Sequence, residues 1–248
     1  MENRPTTPLS PRDRDRNRGR LVRWISPGES SVRPMGSITT RRLSLDRSAE
    51  GRVWAEIRTL CCRTGDNGGP IAQERWEFFA KLWIEPYKWL LPEWTYVALS
   101  EESVVGYLTG CPDSRKFART KAWRMTLPLL LQITFGRYRH TPGAHGFGRR
   151  TLGLSPKAEG RFSHELRRSI EVNYPAHLHV NVDAGYRRMG IGRRLIENYL
   201  GDLRSSDVVG VHLFCGADPV EFYRLLGFEI LGSAQFRGAS IFSLGRKL

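Results

Sequence analysis

Between Val180 and Leu200 the sequence combines glycines and arginines with the beginning of a helix. A β-rich run leads into Arg187-x-x-Gly190-x-Gly192, and the 3.6-residue apolar period of a helix follows directly. Glycine lets a ligand approach the backbone closely, and the first N–H groups of a helix lack internal partners and carry the positive end of the helix dipole. The spacing differs from the Gly-x-Gly-x-x-Gly of dinucleotide sites. The pattern therefore predicts a pyrophosphate site formed by Arg187, Arg188, Gly190, Ile191, Gly192 and Arg193.

Two histidines precede this loop on one strand. In the run 176–182, strict alternation places His177, His179 and Asn181 on one face, and Leu178, Val180 and Val182 on the other. A histidine pair can accept a proton and pass it on near neutral pH. It can equally be held by structural hydrogen bonds beneath neighbouring helices, and both interpretations stay open. No third ligand stands at a suitable spacing, so we predict no metal.

The elements that must position these residues alternate between strand and helix. Helices are predicted for about 46–62 (capped by Asp46 or Ser48), 72–91, 114–135 with an interruption at Pro128, 163–173, 190–204 and 219–227. Strands are predicted at 37–45, 176–182, 209–215, 228–232 and 239–244, with a hairpin over 94–110. Residues 136–162, rich in Gly, Arg and His, predict a flexible insertion. The order indicates an α+β (α/β-like) fold, a mixed sheet of about six to seven strands flanked by helices.

Composition narrows the class of protein. The 248 residues are 40% hydrophobic and 26% charged, which suffices for a substantial core. Residues 1–35 predict a disordered basic tail before a folded domain 36–248. Without an apolar run of ~20 residues or a secretory signal, we expect a cytoplasmic protein with no membrane partner, whose four cysteines are thiols. The formal charge of +14 leaves weak nucleic-acid binding through the tail open.

The glycine loop and a second motif downstream resemble the GNAT superfamily of acetyl-CoA-dependent N-acetyltransferases. Arg187-x-x-Gly190-x-Gly192 is similar to the family's pyrophosphate loop, and Phe222-Tyr223-x-x-x-Gly227-Phe228, about 30 residues on, is similar to its F-Y-x-x-x-G-F helix. The segments 63–66, 104–113 and 174–182 more closely resemble the acetyltransferase-like domain of O-GlcNAcase proteins and its stand-alone bacterial relatives. The resemblance covers about 37–248 and implies a GNAT fold splayed at the cofactor site.

The resemblance also implies roles for individual residues. Acetyl-CoA would be the acyl donor, and the acceptor a primary amine of a small molecule, a protein lysine or a protein N-terminus. Tyr223 would protonate the CoA thiolate, and His179 with His177 would relay the proton of the amine. Val180 and Val182 would border the cofactor, with the oxyanion bound by a backbone N–H near Val182. Candidate walls of the acceptor site are Trp83, Tyr87 and Tyr107.

Two classes of function remain after this reading. One is an enzyme that transfers acetyl by direct attack in a ternary complex, and the other is a catalytically silent GNAT-fold module that binds CoA or a protein partner. The link between Cys215 and Phe222 is short and lacks the family's usual asparagine, which keeps the silent module open. Neither the acceptor nor the oligomeric state follows from the sequence.

Overall fold

The computed structural model of the chain describes residues 37–44, 50–66, 68–152, 162–236 and 238–248. The predicted tail and the predicted helix caps Asp46 and Ser48 lie outside these residues. The strands are β1 (Ile38–Arg42), β2 (Thr95–Ser100), β3 (Ser103–Cys111), β4 (Ala176–Val182), β5 (Gly210–Cys215), β6 (Glu229–Phe236) and β7 (Ala239–Lys247). The α-helices are α1 (Gly51–Arg63), α2 (Trp76–Trp83), α3 (Glu85–Leu90), α4 (Ser114–Lys121), α5 (Leu127–Thr134), α6 (Ala144–Thr151), α7 (His164–Asn173), α8 (Ile191–Arg204) and α9 (Val220–Arg224). Within these ranges, no helix is long and apolar enough to cross a membrane.

All seven strands form one mixed sheet in the order β1-β2-β3-β4-β5-β7-β6. Every neighbouring pair is antiparallel except β4 and β5, which run parallel. The last strand, β7, inserts between β5 and β6, so β6 becomes an edge. The predicted α+β fold with a mixed sheet of six to seven strands is confirmed.

The sheet opens between β4 and β5. These strands pair only at Ala176 with Val211 and at His177 with His212, although β4 continues to Val182 and β5 to Cys215. On its other edge, β4 pairs with β3 without irregularity from His177 to Val182. The predicted splay is therefore present, and it leaves one edge of β4 without a neighbouring strand.

Helices cover both faces of the sheet. On one face α8 buries Leu195, Ile196, Tyr199, Leu200 and Leu203 against the strands. The hydroxyl oxygen of Tyr199 lies 2.8 Å from the carbonyl oxygen of His177 and accepts a hydrogen bond from the Cys111 N–H at 3.0 Å. A Cβ at Gly110 would overlap the Tyr199 ring, so only glycine permits this approach of α8 to β3. On the other face, α1 and Ile84 pack on buried residues of β2 and β3.

The helix predicted over 72–91 is interrupted. A 3₁₀ turn (Gln73–Arg75) precedes α2, and the chain bends at Ile84 before α3. Pro86 is the cause, because proline has no N–H and its ring excludes the carbonyl group four residues earlier. That carbonyl, of Leu82, instead accepts a hydrogen bond from Lys121 Nζ at 3.2 Å.

The interruption predicted at Pro128 lies earlier in the chain. Residues Ala122–Thr126 form a π-helix between α4 and α5, and Pro128 stands in the first turn of α5. The wider π-turn separates the Pro128 ring from the carbonyl of Arg124, so the helical run continues. The described part of the predicted flexible insertion, 136–152, is partly helical. It contains α6, whose Ala144 is buried in one cluster with Phe78 and Tyr138.

Candidate functional site

The glycine loop places the N-terminus of α8 at the surface. Gly190 adopts a left-handed conformation (φ +74°) at the N-cap, and the first hydrogen bond of the helix runs from the Arg194 N–H to the Gly190 carbonyl at 3.0 Å. The N–H groups of residues 191–193 consequently have no partner inside the helix. A Cβ on Gly190 would meet no heavy atom within 4 Å. This open, N–H-lined turn fits a pyrophosphate.

The arginines of the loop differ in whether their guanidinium groups already have partners in the protein. Arg187 donates from Nε to the Val182 carbonyl at 3.2 Å and from Nη2 to the Gly68 carbonyl at 2.8 Å, so it holds the loop against a neighbouring turn. Arg193 pairs with Glu197 at 3.0 Å. Arg188 is exposed and pairs with no carboxylate in the described part of the chain. The backbone N–H groups and Arg188 are thus the groups open to an anion.

The free edge of β4 presents backbone N–H groups toward the opening. The N–H of Asp183 donates to the carbonyl of Val105 on the β3 side at 2.9 Å. Because successive N–H groups alternate between the two edges of a strand, those of Val182 and Val180 are directed to the β5 side. There β5 has already diverged. This edge can bind the carbonyl oxygen of a thioester placed between the strands.

The second motif reaches the same opening. A Cβ on Gly192 would lie 3.2 Å from Phe222 Cζ and 3.8 Å from Val182 Cγ2, which places the Phe222 ring over the first turn of α8. Tyr223 is buried, with its ring against those of Phe222 and Phe228. Burial raises the pKa of the Tyr223 phenol, and the nearby Cys215 thiol raises it further. The phenol is therefore protonated at neutral pH, as a proton donor must be.

His179 lies under an aromatic cover. Its ring stacks on that of Trp83 with centroids 5.8 Å apart, and its Nε2 lies 3.2 Å from the side-chain amide nitrogen of Asn181. The same amide donates to the Tyr107 hydroxyl at 2.9 Å. An amide NH₂ group donates, so Nε2 accepts and the proton of the neutral ring lies on Nδ1. Burial lowers the pKa of His179 to about 4, which keeps the ring neutral.

His177 is held at both ring nitrogens. Nε2 lies 2.7 Å from the Tyr87 hydroxyl and Nδ1 lies 2.7 Å from the Ser114 hydroxyl. Burial, assisted by His212 and Lys121, lowers the pKa of His177 to about 3. No hydrogen bond joins His177 to His179 among the residues described. The geometry favours the structural interpretation of His177, in which it anchors the Ser114 end of α4.

The three candidate wall residues differ in access. Trp83 is 47% exposed beside His179, whereas Tyr87 and Tyr107 are buried and serve as hydrogen-bond partners of His177 and Asn181. The sequence pattern gave Asn181 a place on the histidine face but no role, and it offered no signal for Ser114, which comes from the segment between β3 and β4. Across the described ranges, no group of three or more His, Cys, Asp or Glu side chains could hold a metal ion.

Comparisons with known proteins agree with this geometry. No protein-family profile matches the sequence. Over 50 residues the chain is 46% identical to histone acetyltransferase TAP1 and, over the same length, to probable acetyltransferase TAP2, both from Glycine max. That segment is 20% of this chain and 22% and 20% of those proteins, so the match spans about a fifth of the curated relatives. The crystal structure of SsHAT superposes with a TM-score of 0.62 at 26% identity, covering 85% of this chain and 98% of that one. The overall fold is thus shared with a solved structure over nearly the whole length of that structure.

Proposed function

We propose that the chain is an acetyltransferase of the GNAT superfamily, which moves an acetyl group from acetyl-CoA to a primary amine by direct attack in a ternary complex. The closer likeness to the acetyltransferase-like domain of O-GlcNAcase proteins stays a prediction. The proposal assigns the amine to a small molecule, a protein lysine or a protein N-terminus.

The observation that carries the proposal is the coincidence of two openings at one place. The unpartnered N–H groups of α8 and the unpaired edge of β4 both face the gap that β5 leaves. A pyrophosphate requires the first, and a thioester carbonyl requires the second. Acetyl-CoA carries both groups, joined by an extended arm, so one molecule can occupy both.

The reaction divides among the residues at the opening as follows. The amine attacks the thioester carbonyl, the N–H groups of Val180 and Val182 stabilise the oxyanion, and the C–S bond breaks as Tyr223 donates its proton to the departing thiolate. The proton of the amine goes to His179 or to water. Nε2 of His179 holds the available lone pair, so an amine that donates to it would take the place of the Asn181 amide.

Trp83 is the wall we assign to the acceptor side. It is the accessible ring of the three candidates, and it lies directly on His179. Tyr87 and Tyr107 act one step away, through the hydrogen bonds that orient His177 and Asn181. The cytoplasm is the compartment we expect.

The experiment tests the glycine loop first. We expect acetyl-CoA to raise the melting temperature of the wild-type protein and Gly190→Trp to remove that shift, because the new side chain would occupy the open cradle. Gly238→Trp is the matched control, since Gly238 also has a left-handed φ (+79°) and no atom within 4 Å of a Cβ, but belongs to the turn between β6 and β7. An unchanged shift in folded Gly190→Trp protein would contradict the site.

The second measurement separates the enzyme from the silent module. Thioester turnover is followed against a panel of amines, peptides and lysine-bearing proteins at saturating acetyl-CoA. Turnover with any acceptor supports the enzyme. A wild-type protein that shows the Gly190-dependent thermal shift and no turnover on any acceptor would instead establish a module that binds CoA without reaction.

A further inference from the structure

An exposed apolar row runs along the helical segment between β3 and β4. Trp123, Leu127, Leu131 and Phe135 recur every four residues, and they are 76%, 44%, 50% and 84% exposed. Twelve residues of helix extend the row over ~18 Å. The opposite side of the segment is buried through Phe117, Leu129 and Ile133. The row is therefore the outer face of a helix already fixed in the fold.

The π-helix keeps this row in line. Four residues of an α-helix advance ~40° beyond a full turn, so a row with that spacing drifts around the axis. Between Trp123 and Leu127 the chain passes through the π segment Ala122–Thr126, whose wider turn rotates each residue less and offsets the drift. Trp123 consequently points in nearly the same direction as Leu131.

Basic residues dominate the sequence around the row. Residues 114–152 contain nine Lys and Arg and no Asp or Glu. Arg115, Lys116 and Arg119, together with one acidic residue, Asp113, line a surface cavity of about 880 Å³ that reaches Trp123. Within the described residues these three cations and Arg124 form no salt bridge. Arg137 and Arg139 lie beyond the other end of the row, where Arg137 pairs with Glu77 at 3.3 Å. Cations thus border the apolar row at both ends.

We propose that this face binds an anionic lipid surface, with the row in the interface and Arg115, Lys116, Arg119 and Arg124 against the headgroups. Tryptophan, leucine and phenylalanine beside arginine and lysine are the composition of helices that lie in the plane of a charged membrane. The expectation of no membrane partner rested on the lack of a spanning segment, and a helix that lies on a surface needs none.

Charge complementarity selects this occupant over a second copy of the chain. If two rows packed antiparallel, the Arg115 and Arg119 end of one copy would meet Arg139 of the other copy, beside the Arg137–Glu77 pair. If they packed parallel, each basic end would meet itself. Both arrangements bring like charges together, whereas an anionic surface neutralises both ends at once.

The experiment uses the full chain and vesicle co-sedimentation. We expect binding to vesicles of phosphatidylcholine with phosphatidylglycerol at 50 mM salt, and little binding to phosphatidylcholine alone. Leu131→Ser with Phe135→Ser should weaken binding on the order of 10- to 100-fold, because two exposed apolar side chains no longer enter the interface. Val209→Ser, a change at a 55% exposed residue of the β5 side, is the control and should bind as wild type.

A second pair of variants tests the charges. Arg119→Gln with Arg124→Gln should weaken binding about 30-fold, near fivefold for each cation at the surface. Arg63→Gln with Arg204→Gln removes the same charge from exposed helix ends elsewhere and should have a far smaller effect. Loss of acetyl-CoA thermal stabilisation is not expected in any of these variants, so failure here is separable from failure of the proposed function.

Three results would overturn the proposal. The first is no binding to anionic vesicles at low salt. The second is binding that the Leu131 and Phe135 changes leave intact, which would assign it to the basic residues 1–34. The third is a concentration-dependent dimer in sedimentation velocity that those same changes abolish while vesicles stay unbound, which would make a second copy the occupant.

Discussion

The two half-buried histidines of β4 should make the protein unstable in mild acid. An unfolded histidine takes up a proton near pH 6.5, whereas burial lowers the pKa of His177 to about 3 and that of His179 to about 4. Between these values the unfolded state binds protons that the folded state does not. Stability is therefore complete above about pH 6.5 and is lost as the pH falls toward 4.

The size of the loss follows from the same values. At pH 5, about 1.5 pH units below the unfolded pKa, proton uptake by the unfolded state lowers the free energy of unfolding by about 2 kcal/mol for each of the two rings. Together the two rings lower the free energy of unfolding at pH 5 by about 4 kcal/mol relative to pH 8. Burial also lowers the pKa of His212, which acts in the same direction. This is a large part of the 5–15 kcal/mol typical of a domain.

Urea denaturation at pH 8 and pH 5 measures the effect. We expect the difference in free energy of unfolding between pH 8 and pH 5 to be about 2 kcal/mol smaller in His179→Phe than in the wild type. In this variant an aromatic ring can remain against Trp83 but cannot take up a proton. Leu178→Ala is the control from the opposite face of β4, and it should lower stability equally at both pH values. A wild-type stability that is flat between pH 8 and pH 5, or a His179→Phe protein that keeps the whole difference, would refute the reasoning.

Three further predictions concern the site, the tail and the packing. Tyr223→Phe should lower the rate of acetyl transfer by roughly 10² to 10⁴ with acetyl-CoA affinity unchanged, and an unaltered rate would remove Tyr223 from the mechanism. A chain lacking residues 1–34 should keep its acetyl-CoA thermal shift, and a loss of folding would move the domain boundary. In urea titrations, Gly110→Ala should lower the free energy of unfolding by about 1–3 kcal/mol, because the Tyr199 ring must shift. Gly201→Ala is the control, because a Cβ there meets open space on α8, and it should raise the free energy of unfolding by up to about 1 kcal/mol.

Much of the sheet was predictable because its strands carry local signals. The hairpin of β2 and β3 shows two β-rich runs around a short polar turn, and α7 begins where Ser163 accepts from the Leu166 N–H at 3.1 Å. The position of β7 between β5 and β6 has no such signal. It depends on pairing between strands that are distant in sequence, which the pattern along each strand does not report.

The helix breaks show why local pattern fails where a proline is accommodated by its neighbours. Pro86 ends one helix because the Leu82 carbonyl finds Lys121 as a partner, and Lys121 is 39 residues away. Pro128 breaks nothing, because the π-turn before it provides the space. Both outcomes depend on residues outside the window in which a periodicity is read.

The candidate site divides in the same way. The glycine loop could be predicted because all its parts lie within a few residues of one another. The burial of Tyr107 could not, because Tyr107 sits on the same sheet face as Asn181 and its exposure depends on the helices that pack over it. Aromatic residues near a strand of histidines indicate a wall or a core equally well, and only the packing distinguishes them.

Because β4 and β5 pair over only two residues each, the sheet consists of two plates that are weakly connected through backbone hydrogen bonds. One plate is β1 to β4 and the other is β5, β7 and β6, and two residue pairs of backbone join them. The helix α8 also connects them, because its buried face contacts residues of both plates. Amide hydrogens of β5 should accordingly exchange faster than those of β3, although both strands lie inside the sheet. A molecule bound between β4 and β5 would hold the two plates together and slow that exchange, so the fold would be most rigid while the proposed acyl donor is bound.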